Sequence, residues 1–145
     1  VLQRVSWARV SVDRRTVAEI GRGLVLLVGV GRDDGFGDYD RLAQKVVNLR
    51  VFADRGDRMD RSLREVGGEV LVVPNFTLYG ELRRGRRPSW EGAAPPEVAE
   101  GRVEAFARAL EACGATVRRG AFGAHMRVEL ENDGPVTLVI DTASL

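Results

Sequence analysis

Leu24-Val25-Leu26-Leu27-Val28-Gly29-Val30 is a continuous apolar run, and Glu69-Val70-Leu71-Val72-Val73 carries a second. A strand with one wet face alternates apolar and polar residues. A run without alternation fits a strand covered on both faces. Two such strands place a buried sheet at the centre of the chain, and the remaining sequence has to cover it.

Working outward, residues 1–5 and 8–12 read as strands, with Val10 and Val12 alternating around Ser11. A turn-like Asp13-Arg14-Arg15 leads to a strand over 16–20, and Gly21-Arg22-Gly23 turns into the first apolar run. Residues 38–48 have helical spacing: Leu42, Val46 and Leu49 recur at i, i+4 and i+7 behind an acidic first turn. A short strand is expected at 50–52. Residues 54–66 are charged and read as an exposed loop with a helical piece at 62–66, ended by Gly67-Gly68. Residues 79–96 are long, irregular and rich in Gly and Pro, the kind of loop that is usually functional or disordered. The strongest helical pattern spans 96–113. Val98, Val103, Phe106 and Leu110 mark its apolar face, Pro95-Pro96 its start and Gly114 its end. Strands follow at 116–118, 126–130 and 136–140. The order β-β-β-α-β-β-loop-α-β-β-β predicts one sheet-rich α/β domain over 1–145, with two main helices on one face.

Of 145 residues, 44 % are hydrophobic, enough for one core. The formal charge is +1, which argues against attachment to nucleic acid by bulk charge alone. Lys45 is the lone lysine among 22 basic residues. The single cysteine, Cys113, excludes an intramolecular disulfide and a Cys-rich zinc set, and is expected to be a small buried residue. No metal and no cofactor is expected. The start, Val-Leu-Gln-Arg-Val, has no charged leader before a long apolar run, and no run is long enough to span a bilayer. A cytoplasmic protein without membrane contact is expected.

Four constellations could carry chemistry. In extended chain Asn75 and Thr77 share one face at the end of the second apolar run, and Phe76 and Leu78 share the other. Thr77 is the candidate side-chain nucleophile there, but a hydroxyl needs a base, and His125 is the only histidine. The run Asn132-Asp133-Gly134-Pro135-Val136-Thr137 places Gly-Pro between two strands. It reads either as a turn opening a strand or as a rigid, backbone-defined object. Arg83, Arg84, Arg86 and Arg87 surround Gly85 and lead to Trp90, a combination suited to phosphate pairing and base stacking, or simply to a solvated loop. Small and large residues alternate in Ala121-Phe122-Gly123-Ala124-His125-Met126.

These runs resemble the D-aminoacyl-tRNA deacylases of bacterial type. The resemblance extends nearly end to end, through Gln3-Arg4-Val5-Ser6, Val47-Asn48-Leu49-Arg50, Gly67 to Val73, Phe76-Thr77-Leu78-Tyr79-Gly80, Gly85-Arg86-Arg87-Pro88-Ser89, Phe122 to Met126 and Asn132 to Thr137. It implies a three-layer α/β/β fold forming a barrel-like homodimer. It implies hydrolysis of the ester of D-aminoacyl-tRNA, and of glycyl-tRNA as well, without metal. The Phe76-Thr77 backbone would face the ester, and the ribose 2′-OH of the tRNA would assist. Gly134-Pro135, with a cis bond, would enter the partner's pocket as a chiral filter, oriented by Arg4. Asn75, Leu78, Asn132 and Thr137 would complete the substrate-binding set. Arg83, Arg84, Arg86 and Arg87 would contact tRNA. One departure stands out: the usual Ser-Gln-x-Thr-Leu motif is Pro74-Asn75-Phe76-Thr77-Leu78 here. Asn is one methylene shorter than Gln, so its amide reaches about 1.5 Å less far. This leaves open an alternative, a tRNA-end-binding relative with weakened catalysis or relaxed chirality.

Overall fold

The computed structural model describes residues 1–35 and 37–145. Its centre is a pair of parallel strands, β3 (Gly23–Val28) and β6 (Glu69–Pro74), paired from Gly23↔Glu69 to Val28↔Pro74. These are the two apolar runs, and their side chains divide between two cores. Leu24, Leu26, Val70 and Val72 face one core, while Val25, Leu71 and Val73 face the other. Period-2 alternation within an all-apolar strand supplies both layers at once.

The first core lies under two helices, α1 (Asp38–Asn48) and α3 (Pro96–Ala112). Ala43, Val46 and Val47 enter it from α1, and Ala99, Val103, Phe106 and Leu110 from α3. Val98, expected on the apolar face of α3, is exposed, and Ala99 takes the buried place. Strand β7 (Thr116–Arg119) pairs in parallel with β6 behind α3. Arg119 ties this strand to α3 by bonding Glu104 at 2.8 Å and Glu111 at 2.6 Å.

The second core is closed by β1 (Leu2–Val12) and β2 (Arg15–Ile20), through Val5, Ala8, Val10, Ala18 and Ile20. Residues 1–12 form one strand, not the two expected. On one edge its first half pairs with β3 and its second half with β2. The register shifts on either side of Val5 bend it from one partner to the other. Strand β2 then lies against β6 and β7, so the sheet nearly closes into a barrel. Helices, central strands and the β1–β2 cover make the three layers.

The other edge of β1 is paired along most of its length with β8 (Arg127–Leu138). Here too the structure joins what the sequence divided. The two expected strands at 126–130 and 136–140 belong to one strand, and Gly134-Pro135 lies within its span, in a stretch between Asn132 and Thr137 that has no partner on β1. The charged stretch after α1 holds a small hairpin, β4 (Phe52–Ala53) with β5 (Met59–Arg61), and a one-turn helix, α2 (Leu63–Val66). Ser62 caps that helix and Glu65 returns the bond to the Ser62 N–H at 2.7 Å, a capping box that the Ser62…Glu65 spacing carries openly. Cys113 follows α3 as its cap residue and is half-buried. Among the described residues no helix is long and apolar enough to cross a membrane.

Candidate active site

At the end of β6 the chain does not stay extended. Phe76–Tyr79 forms a 3-10 turn, opened by the Leu78 N–H bond to Asn75 O at 3.4 Å. The expected sharing of faces, Asn75 with Thr77 and Phe76 with Leu78, therefore fails. The reason is local: Pro74 is the last strand residue, and the Asn75 N–H still reaches Val28 O at 2.8 Å, after which no ladder partner remains. The N–H groups of Phe76 and Thr77 precede the first donor of the turn, so the turn itself leaves them unpaired. The Thr77 hydroxyl pairs with Asn75 Oδ1 at 2.5 Å, and an amide oxygen is no base.

The turn is braced on both sides. The Tyr79 ring lies over Gly29 and Gly31 at the exit of β3. Burial, with Asp34 and Asp141 nearby, holds the Tyr79 hydroxyl above its usual range, so it keeps its proton and donates to Asp34. Asp34 in turn accepts from the Gly31 N–H at 2.7 Å. On the other side Trp90 meets Phe76 edge to face, with centroids 5.3 Å apart. A Cβ at Gly80 would sit 2.9 Å from the Trp90 ring, so only glycine permits this approach.

A cleft of about 780 Å³ opens beside the turn. Asn75 and Phe76 form one wall, Trp90 with Ala93 to Pro96 a second, and Phe122 to Met126 a third. Its size suits a small ligand or the end of a larger one. His125 lines this cleft, although its sequence position gave no hint of a neighbour. Arg32 lines it too and was missed, because a lone arginine after a glycine carries no local signal. Among the described residues no group of three or more His, Cys, Asp or Glu is placed to hold a metal ion.

The Gly134-Pro135 run lies elsewhere. None of residues 132–137 lines the cleft of its own chain. The peptide bond between Gly134 and Pro135 is cis, and both residues are exposed. The segment is held from within. Arg4 donates to Asp133 O at 2.8 Å and to Val51 O at 2.6 Å, which ties the loop to the β4 end. The Asn132 side chain accepts from the Val136 N–H at 2.7 Å and donates to Thr137 Oγ1 at 2.9 Å. Gly134 has φ +145°, and a Cβ there would meet Val136 N at 2.9 Å and an Arg4 nitrogen at 3.1 Å. Leu78, at 42 % exposure, and Leu138 and Val139, at 37 % and 81 %, leave apolar surface on the turn and along this edge.

The arginine run caps a short hairpin closed by a Glu81↔Ser89 bridge, with N–H···O bonds of 2.8 and 3.1 Å. Arg83 folds back on Glu81 at 3.5 Å, while Arg84, Arg86 and Arg87 are exposed at the tip.

This arrangement has close relatives. The family model for D-Tyr-tRNA(Tyr) deacylase matches residues 1–141. The D-aminoacyl-tRNA deacylase of Roseiflexus castenholzii is 55 % identical over 99 % of this chain and 91 % of its own. Those of Clostridioides difficile and Thermomicrobium roseum are 49 % and 52 % identical, over 99 % and 100 % of this chain and 96 % and 94 % of theirs. A solved structure named c-Myc DNA Unwinding Element Binding Protein superposes with a TM-score of 0.88 at 36 % identity, covering 94 % of this chain and 93 % of that one. A probable eukaryotic D-amino acid tRNA deacylase shares the fold at a TM-score of 0.77 and 18 % identity, over 92 % and 93 % of the two chains. With a family match over residues 1–141 and relatives at half identity along nearly the whole chain, the chain belongs to the D-Tyr-tRNA(Tyr) deacylase family.

Proposed function

We propose that this protein hydrolyses the ester of D-aminoacyl-tRNA, releasing the D-amino acid and free tRNA. The observation that carries the reading is the pairing of an open cleft beside the Phe76–Tyr79 turn with an exposed, internally braced Gly134-Pro135 that does not line that cleft in its own chain. A second copy supplies the missing wall. Strand β8 pairs on one edge only, and a 12-residue free edge bordered by Leu138 and Val139 is a surface that proteins normally cover. In the homodimer Gly134-Pro135 enters the partner's cleft. Its carbonyls hold the α-amino group, and its backbone occupies the space an L side chain needs.

The chemistry is that of orientation. The unpaired Phe76 and Thr77 N–H groups stand where an ester oxygen can gather charge in the transition state. The terminal ribose 2′-OH assists the attacking water, and no side-chain nucleophile is required: the Thr77 hydroxyl is engaged with Asn75 Oδ1. A filter made of backbone reads the chiral centre and not the side chain, so many D-residues fit, and glycine, with no side chain to exclude, is cleaved as well. The exposed Arg84, Arg86 and Arg87 lie where they can follow the tRNA backbone, and Arg83 joins them once released from Glu81.

A second reading rests on Pro74-Asn75. The short Asn75 amide turns back to Thr77, so it cannot grip the substrate as a longer amide would. On that reading chirality is relaxed or catalysis weakened. Incubation with D-tyrosyl-tRNA and L-tyrosyl-tRNA decides. Release of the D-residue alone supports the first reading, release of both supports the second, and release of neither sinks the deacylase assignment.

A further inference from the structure

The cleft has an uneven charge. Arg32 is the only arginine, lysine or carboxylate residue among its described lining, and the other lining residues are mostly apolar: Ala93, Ala94, Pro95 and Pro96 among them. Several arginines answer a carboxylate, Arg9 with Glu129, Arg50 with Asp60, Arg83 with Glu81 and Arg119 with Glu104 among them. Arg32 is exposed, and among the described residues no carboxylate comes within ion-pair distance of it. Its backbone is nevertheless fixed. The Arg32 N–H donates to Gly92 O at 2.9 Å and the Ala94 N–H to Val30 O at 2.9 Å, while Gly31 bridges Ala93. The same short segment carries Trp90, whose carbonyl accepts from the Ala93 N–H at 3.0 Å. The indole is held by Phe76 and Gly80, yet 40 % of the residue stays open. An exposed cation on a fixed backbone and a half-open aromatic lining the same cleft suit a phosphodiester and a base of single-stranded nucleic acid.

We infer that Arg32 and Trp90 form a subsite for the nucleotide preceding the terminal adenosine of the tRNA. Arg32 pairs with the phosphodiester joining the two nucleotides, and Trp90 stacks the base. The inference rests on the deacylase reading and extends it, since it says how far up the single-stranded end the cleft reads. It makes Arg32 a binding residue for the RNA, not a participant in ester cleavage.

The test compares three D-tyrosyl esters: on adenosine, on the cytidylyl-adenosine dinucleotide, and on tRNA. Wild-type protein should cleave the dinucleotide ester with a kcat/KM roughly tenfold or more above the nucleoside ester, the size of one charge-assisted contact. Arg32→Ala should lower kcat/KM for the dinucleotide about tenfold more than for the nucleoside, with Arg32→Lys recovering part of it. Replacing the cytosine by an abasic position should cost at least about fivefold in wild type, the stacking share. Equal efficiency on nucleoside and dinucleotide, or an Arg32→Ala loss equal on both, overturns the inference and leaves the deacylase reading standing. No cleavage of D-tyrosyl-tRNA by wild type overturns that reading and this one with it.

Discussion

The turn at Phe76–Tyr79 and the segment at Asn132–Thr137 solve the same problem in opposite ways. In the proposed reaction both present backbone groups in one fixed orientation. The turn is braced against other parts of the fold: its Tyr79 ring packs on Gly29 and Gly31, and Trp90 packs on Phe76 and Gly80. The Gly134-Pro135 segment lies on a strand edge and is braced by Arg4 and Asn132. The turn borders a cleft, while Gly134-Pro135 itself is exposed to solvent. A backbone held this firmly at an exposed edge is explained if the thing it acts on lies in another copy of the chain.

The comparison breaks most sharply at Gly134. A methyl group added there has to displace Val136 or Arg4, at a φ that L side chains rarely adopt. Gly134→Ala is expected to cut D-tyrosyl-tRNA deacylation by about a hundredfold, the usual cost of misplacing a reacting group by an ångström. Circular dichroism should show the fold retained, because the site is exposed. Near-normal turnover would mean that the segment does not enter a working site.

Arg4 comes next. Arg4→Ala removes the donor to Asp133 O and Val51 O and lets the segment move. Stability should fall by about 1–3 kcal/mol in urea unfolding, the range for losing a charged donor to partly buried acceptors. Activity should fall by more than the unfolded fraction accounts for, with D-over-L preference reduced. A stability loss with the preference unchanged would confine Arg4 to holding the β4 end.

The smallest effect is expected at the turn. Thr77→Ala deletes a hydroxyl already engaged with Asn75 and leaves the Thr77 N–H in place. Deacylation should stay within roughly tenfold of wild type, against the several orders of magnitude that loss of a true nucleophile costs. Inactivity of a folded Thr77→Ala protein would return the hydroxyl to the centre of the mechanism.

Much of this was legible in residues. Leu24 to Val28 and Val70 to Val73 are apolar without a break, and the two cores on either side of them follow from that pattern. The helices were legible because Leu42, Val46, Val103, Phe106 and Leu110 repeat with the helical period. The turn at Phe76 was not, because an extended chain and a 3-10 turn place the same four residues in the same order. What separates them is the end of the ladder at Val28 and two braces from elsewhere in the chain: Trp90, and Gly29 with Gly31 under the Tyr79 ring. The β8 strand was read as two for a similar reason. Gly-Pro is a local signal for interruption, and only its pairing with β1 and the Asn132 bonds show that the strand continues past it.

The sequence by itself determined the layers, the helices, the family and the two motifs, since each depends on periodicity or on runs of neighbouring residues. The tertiary structure alone decided where those motifs stand. It put His125, Arg32 and Trp90 around one cleft, set Gly134-Pro135 on an edge away from it, and turned the Thr77 hydroxyl toward Asn75. The reason is physical: these relations depend on contacts between residues distant in the chain, and no local pattern of side chains encodes the direction in which a strand end bends.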